Sequence, residues 1–453
     1  MILTKSRLTG LGHPHWPPRA DALSIRAGHA PWLVTSPRPA DKAKRVEVIL
    51  DSLRCFAVAV TFILPLLVFP GTERPFSTPK FALLGVATGV GVLVGIYCRA
   101  HHRLALPSTI QVTLIVWLAA LGASASFGVF TSPPAVLLPV FSVAWCGLVV
   151  FVRPRTEYLA WALVLSGAAI ATVALLQFLG LDPFTLAGWV PLTGSNSRMR
   201  VFATLGNPNF VAAFVAGLLP LTFSLASQAR NFRGWLVALF ALQAMAILTT
   251  GSRAPILALV CASLWIASLR SGRLGRGFAW AVLSLAVCAA AFSPARNLKT
   301  TLRGRTYIWE VSAPHLAEHF LFGLGPGGFG AAFPAWETQY WQAAPSEDNR
   351  SFAGIEDHAH NDYLEIFADT GLAGWLAFVA VLFAILRQAW FRARAGGDRL
   401  VAGASAGVVA LAAVAFVDFP LMRPTESFLF WSLVMVSLVG QDETHVTRRT
   451  CAE

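Results

Sequence analysis

The sequence predicts an all-α fold, a polytopic membrane helix bundle of ten to twelve transmembrane helices with an extracytoplasmic helical cap. Two observations predict the bundle. The 453 residues are 56% hydrophobic and only 13% charged, whereas a soluble domain has about 25% charged residues. Apolar runs of about 20 residues, long enough to cross a bilayer, recur along the whole chain. The third observation is one long polar segment, 294–370, which is expected to form the cap.

Twelve apolar runs are expected to span the membrane. The last run is short and the pair around Gly251 is nearly continuous, so the expected number is ten to twelve. The predicted spans are 55–70, 81–98, 109–128, 134–152, 158–180, 209–227, 234–250, 254–270, 277–293, 371–390, 400–417 and 427–440.

Basic residues in the connections predict the orientation. With the N-terminus inside, the short inside loops carry thirteen arginines and the short outside loops carry six Lys or Arg. Basic residues concentrate in the cytoplasmic loops of membrane proteins, so residues 294–370 are expected outside. The net charge of +12 mostly reflects this topology. Nucleic acid is excluded as a partner because no basic run is interleaved with aromatic residues in a soluble domain.

The ends of the chain differ from its centre. Residues 1–50 are polar, contain several prolines and lack the apolar stretch of a signal peptide, so they are expected to form a disordered cytoplasmic tail. The transmembrane domain is expected over 51–440, followed by a second cytoplasmic tail over 441–453. No structural disulfide is expected, because none of the six cysteines lies in an outside loop.

Two outside segments, 181–208 and 294–370, are longer than the other connections. Within the second, apolar residues at helical spacing predict an interfacial helix over 306–322, with aromatic side chains at the headgroup level. The glycine-rich sequence GLGPGGFG (323–330) should end it. A further helical pattern over 359–370 leads into the span that begins at 371.

The glycines of GLGPGG (323–328) match the dinucleotide-binding fingerprint. That motif requires a preceding strand within a βαβ unit, and here an amphipathic helix precedes it. We therefore interpret the glycines as a tight turn.

A second motif, His315-x-x-Glu318-His319, matches an inverted zinc-protease pattern. A third ligand would have to come from Asp357, His358 or Asp362. The alternative is that both histidines lie on the polar face of the interfacial helix, and we expect no metal and no cofactor.

Three arginines are candidate anion contacts on the outside face: Arg200, Arg253 and Arg305. A guanidinium between two spans is costly unless it is paired or faces water, and its fork suits phosphate oxygens. Arg253 fits that description, with a membrane-interface anchor as the alternative. Arg200 lies shortly before the start of a helix, whose N-terminus also attracts anions. Arg305 is either a third contact or a headgroup anchor.

The sequence DHAHND contains two histidines, His358 and His360, close to the membrane surface. An imidazole near its reference pKa can take a proton from an alcohol. Asp357, Asp362 or the amide of Asn361 would orient the imidazole. The alternative is a histidine that only hydrogen-bonds at a helix start.

Four segments in this order resemble the O-antigen ligase and polymerase family of bacterial membrane glycosyltransferases. Two of them contain the family's paired signatures, Arg-x-x-x-Leu from Arg253 to Leu257 and His-x-x-x-Leu from His360 to Leu364. Family members often have Ser or Thr after the histidine, where this chain has Asn361. The segments are RVFATLGNPN (200–209), TGSRAPIL (250–257), RTYIW (305–309) with GLGPGGFG (323–330), and HAHNDYLEIFADTGLAGW (358–375).

The resemblance implies a metal-independent, inverting transfer from a polyprenyl pyrophosphate-linked glycan to an acceptor hydroxyl. It makes His360 the candidate base and Arg200 and Arg253 the candidate pyrophosphate contacts, and it assigns no firm role to His358. The implied location is the bacterial inner membrane, with a periplasmic active face among membrane lipids. Ligase, polysaccharide polymerase and protein O-oligosaccharyltransferase activities stay open as alternatives, with a lipid-linked or other hydroxyl acceptor. A small-anion transporter and a zinc protease are the alternatives from other classes.

Overall fold

The structure, a computed structural model, is built of α-helices and short 3-10 helices. It describes residues 39–97, 106–189, 201–269, 276–284, 298–343, 347–354, 356–396 and 398–439, and this part of the chain contains no β-strand. The all-α prediction is confirmed.

The described residues from 46 to 439 belong to one compact unit, and residues 39–45, which begin the first helix, belong to another. The helices are α1 (Pro39–Ile63), α2 (Thr78–Tyr97), α3 (Ser108–Phe127), α4 (Pro133–Val152), α5 (Thr156–Phe178), α6 (Pro183–Leu186), α7 (Pro208–Gln228), α8 (Arg233–Thr250), α9 (Ala254–Leu269), α10 (276–284), α11 (Leu298–Ser312), α12 (Gly328–Gln342), α13 (Asp362–Gly396), α14 (Arg399–Val414) and α15 (Pro424–Leu438).

Eight helices within the described ranges are long and apolar enough to cross a membrane, and three shorter apolar helices accompany them. Together they coincide with the predicted spans, except that the span at 277–293 is described only up to residue 284. The chain is a multi-pass membrane protein. The last three described spans are α13, which bends at Gly371, followed by α14 and α15.

The first helix begins earlier than predicted. Because α1 starts at Pro39, residues 39–50 of the predicted disordered tail are helical, whereas residues 1–38 lie outside the described residues. Proline is well suited to the first turn of a helix, and no further proline interrupts the chain until Pro65. The charged residues before the apolar run extend the helix without belonging to the span.

Small residues bring the central helices together. In the α7–α14 pair, a side chain at Gly407 would collide with the Gly217 carbonyl oxygen, and one at Gly403 would collide with Ser224. Glycine and alanine at such positions allow close backbone approach, which drives helix packing in membranes. The packing buries almost all of α14, and most residues of α7 with it.

A cap of short helices with its own apolar core packs at one end of the bundle. Its core comprises Tyr307, Ile308, Val311, Leu324, Phe329, Ala332, Phe333, Trp336, Ala359 and Ala368.

The predicted interfacial helix over 306–322 is wrong at both ends. Helix α11 runs from Leu298 to Ser312 and is followed by a 3-10 turn over Ala313–His315. Pro314 explains the end, because proline disfavours α-helical backbone in the residue before it. The segment that follows, up to residue 322, is a series of turns.

The glycine-rich sequence forms the predicted tight turn. Gly323, Gly325 and Gly327 all have positive φ, a conformation that favours glycine. The Phe130 amide donates to the Leu324 carbonyl, so the turn is tied to the α3–α4 connection. The turn thereby fixes the cap onto the bundle.

Candidate active site

The segment that carries the two histidines ends in a helix cap. Asn361 Oδ1 accepts hydrogen bonds from the Tyr363 and Leu364 amides, which makes Asn361 the N-cap of α13. Ser, Thr and Asn share this capping role. The asparagine is therefore equivalent in structure to the Ser or Thr expected after His360. His360 itself has φ +50°, a left-handed conformation that is uncommon outside glycine.

His358 and its neighbours fix the loop before α13. The His358 Nδ1 lies 2.8 Å from Glu365 Oε1, and the Ala359 amide donates to the other oxygen of the same carboxylate. The Trp309 indole donates to the Ala359 carbonyl, which links the loop to the cap. The His358 ring stacks on Phe419 at 4.1 Å. His358 therefore holds the loop in place.

His360 lies between two carboxylates. Its Nδ1 is 3.7 Å from Asp418 Oδ1, and its Nε2 is 3.7 Å from Glu356 Oε2. The Asp418 side chain is 2% exposed, whereas the His360 and Glu356 side chains are 28% and 35% exposed. A ligand at the surface of the site can therefore reach the Nε2 side of the imidazole.

These carboxylates raise the pKa of His360. Burial alone lowers that pKa, but the charges of Asp418 and Glu356 outweigh burial and raise it to about 9. The pKa of His360 thus lies above the reference value of histidine, because two acids favour the imidazolium. A neutral His360 is a stronger base than an ordinary histidine, but it is present mainly at alkaline pH.

The groups predicted to orient the imidazole lie elsewhere. Asp357 is exposed. Asp362 is fully buried, and its Oδ2 accepts from the Leu421 amide while its own amide donates to the Ala415 carbonyl. Asp362 thus joins the start of α13 to the α14–α15 connection, the connection that carries Asp418. Its contribution to His360 is to hold these two segments together.

Arg423, at the start of α15, continues the cluster behind Asp418. Its NH1 is 3.9 Å from Asp418 Oδ1, and its Nε is 3.1 Å from Glu426 Oε1. Its Cζ lies 3.3 Å from the ring centroid of Phe210 and 4.7 Å from that of Phe419. The arginine is 8% exposed. Sequence reasoning treated Arg423 only as a basic residue of a loop.

A second buried cation, Lys80, interacts electrostatically with Glu426. Its Nζ donates to the Thr204 carbonyl at 2.5 Å, and the Thr204 hydroxyl donates to the Pro65 carbonyl. Both Lys80 and Glu426 are almost completely buried. Lys80 therefore holds the segment that precedes α7. The only sign of these buried charges in the sequence was that Lys80 and Glu426 each lie in the first turn of an apolar helix, next to a connection.

The three candidate arginines occupy different parts of the chain. Arg305 is partly buried in α11, where burial lowers its pKa and the charge of Asp418 opposes that effect. Arg253 is partly buried in the turn between α8 and α9. Arg200 lies outside the described residues. The structure thus brings Arg305 to the His360–Asp418 cluster, and the phosphate roles of all three arginines stay predictions.

Residues 236–379 match the family model of the O-antigen ligase. The match supports the resemblance of the chain to the O-antigen ligase family and points to glycosyl transfer of the O-antigen ligase or polymerase type. It covers just under a third of the 453 residues. No curated protein matches the chain significantly.

The O-antigen ligase match includes the cap and most of the candidate site. Arg253, Arg305, His358 and His360 all lie within it. The partners of His360 on the α14–α15 connection lie beyond its end, as do Arg423 and Glu426 on α15. The site therefore combines residues of the matched range with residues of other elements, chiefly α15 and the α14–α15 connection.

The zinc-protease pattern has a local explanation in the structure. His315 Nδ1 is 3.1 Å from Glu318 Oε1, and the His315 ring stacks on Trp336 with an interplanar angle of 2°. Within the described ranges, no three His, Cys, Asp or Glu side chains come together as a metal site. His315 packs on the surface of the cap.

Proposed function

We propose that the protein transfers a glycan from a polyprenyl pyrophosphate carrier to an acceptor hydroxyl, in the manner of an O-antigen ligase. The reaction takes place at the outer face of the bacterial inner membrane and inverts the anomeric carbon. The single observation that carries the proposal is His360, a partly exposed imidazole between two carboxylates, inside the matched O-antigen ligase range.

His360 is the proposed general base. The acceptor oxygen attacks the anomeric carbon, the bond from that carbon to the pyrophosphate oxygen breaks, and polyprenyl pyrophosphate leaves with the electron pair. The acceptor proton moves to His360 Nε2, because Nδ1 faces the buried Asp418. Attack from the side opposite the leaving group inverts the configuration.

Arginines are proposed to stabilise the leaving group. Charge develops on the pyrophosphate as the bond breaks, and fixed cations that meet this charge lower the barrier. Arg200, Arg253 and Arg305 are the candidates, and Arg305 lies close enough to Asp418 for their charges to interact. Such cations make a metal ion unnecessary.

The distribution of charge favours an enzyme over a small-anion transporter. Transporters place their binding groups near the bilayer midplane on interrupted helices. Here Lys80, Asp362 and Glu426 are buried in the first turn of their helices. Asp369, which is buried further along α13, accepts hydrogen bonds from the Gly327 and Phe329 amides of the cap. Ion pairs and backbone contacts join these residues to connections at the His360 end of the bundle.

Reconstitution tests the proposal and separates the acceptor classes. The purified protein in lipid vesicles receives a polyprenyl pyrophosphate glycan and a chelator, with a lipid-linked sugar, a free glycan or a Ser/Thr peptide as acceptor. We expect transfer with inversion to one of them. Folded protein that transfers to none of them, or that needs a divalent metal, would contradict the proposal. Accumulation of phosphate in the vesicles without transfer would favour the transporter.

A further inference from the structure

We propose that Arg423 is a positioning residue of the glycosyl transfer, because it fixes the Asp418 carboxylate against His360. This inference rests on the proposed function, in which His360 is the base. Arg423 touches no substrate in this scheme and acts through Asp418.

One oxygen atom connects the arginine to the imidazole. Asp418 Oδ1 is 3.7 Å from His360 Nδ1 and 3.9 Å from Arg423 NH1. The Phe419 amide donates to the same oxygen. The orientation of the Asp418 carboxylate therefore depends on the positions of His360, Arg423 and the Phe419 amide. Among these three groups, Arg423 is buried and has a permanent charge.

Aromatic rings hold the guanidinium in one place. Phe210 from α7 and Phe419 from the α14–α15 connection both lie within cation–π distance of it. All three guanidinium nitrogens are buried, and their contacts to Asp418 and Glu426 are ion pairs that lack the geometry of hydrogen bonds. A buried ion pair of this kind is weak evidence for stability, because desolvation offsets the attraction. Replacement of a whole buried ion pair by apolar side chains is often neutral or stabilising, so stability alone does not account for these charges.

The charge of Arg423 keeps Asp418 ionised. Burial would raise the pKa of Asp418, and Arg423, followed by His360, lowers it below its ordinary value. Ionised Asp418 is in turn one of the two carboxylates that face His360, the other being Glu356. Arg305 of α11, Asp362 of α13 and Glu426 of α15 also interact electrostatically with Asp418.

The test compares Arg423→Met with Arg423→Lys in the vesicle transfer assay over pH 6 to 10. Without the cation, Asp418 takes up a proton more readily and His360 loses an anionic partner. We expect Arg423→Met to lower the maximal rate at least about tenfold and to move the half-maximal pH down by about one unit or more. Arg423→Lys should keep the wild-type half-maximal pH with a reduced maximal rate, since lysine lacks the planar fork.

Arg74→Met is the matched control, because Arg74 is an exposed arginine of the α1–α2 connection. It should behave as wild type. Folded Arg423→Met protein with the wild-type rate and half-maximal pH would overturn the inference. A loss of folded protein with an unchanged rate per folded molecule would also overturn it, because the role would then be structural only. If His360→Ala retains transfer, the proposed function itself fails, and the two failures are thereby distinguished.

Discussion

At the scale of single residues, His360 combines an unusual backbone with an unusual charge environment. Its left-handed φ is the kind of conformation that persists at functional sites when the surroundings enforce it. The sequence identified His360 through its spacing to Leu364 and through the family pattern. It did not identify Asp418, which is 58 positions away and faces His360 where Asp362 and Phe419 join the α14–α15 connection to the start of α13.

The pH dependence of transfer tests the environment of His360. Because a base acts in its neutral form, the wild-type rate should rise about tenfold per pH unit below pH 9 and then level off. Glu356→Gln removes one of the two carboxylates that raise the pKa of His360. The pKa should fall, so the half-maximal rate should occur at lower pH in this variant. The measurement is the initial transfer rate from pH 6 to 10.

Asp357→Asn provides the control for that series, since Asp357 is the exposed neighbour of Glu356. Its profile should overlay that of wild type. Identical profiles for Glu356→Gln and wild type would show that Glu356 does not control the protonation of His360.

At the scale of elements, the cap shows what sequence patterns can and cannot predict. The glycines of the turn after 322 were predictable, because positive φ and close approach select glycine at such positions. The start of α11 was not predictable, because residues 298–305 have no clear apolar periodicity. They are helical in the structure, where α11 packs on the rest of the cap. Helix α11 ends at Ser312 because of Pro314. The sequence prediction gave the apolar spacing of 306–322 more weight than this local signal.

Gly325 is expected to be essential for docking of the cap. It has φ +100°, and a Cβ there would collide with the Phe130 carbonyl oxygen. Gly325→Ala should destabilise the protein by at least about 2 kcal/mol from backbone strain and overpacking together. The midpoint of thermal unfolding in detergent should therefore fall. Gly354→Ala, a cap glycine with open space around it, should leave the midpoint unchanged. Equal midpoints for the two variants would contradict this role of the turn.

At the scale of the whole molecule, the bundle and the site differ in how far the sequence predicts them. Apolar runs alone are sufficient to predict the spans, because the bilayer fixes their length. The site requires contacts between distant helices. Lys80 and Arg423 were counted as loop charges that set orientation, yet the structure buries both beside Glu426. Hydropathy cannot distinguish an interface anchor from a buried ion pair at the same depth.

The most direct test of the central claim is the transfer rate of His360→Ala in vesicles at pH 9, with equal amounts of folded protein. We predict a loss of at least about a hundredfold relative to wild type, the typical contribution of a general base. His358→Ala removes a loop contact to Glu365 and a ring stack on Phe419 but not the proposed base, so it should lose far less. Near-normal glycan transfer by folded His360→Ala protein would contradict the claim that His360 is the base.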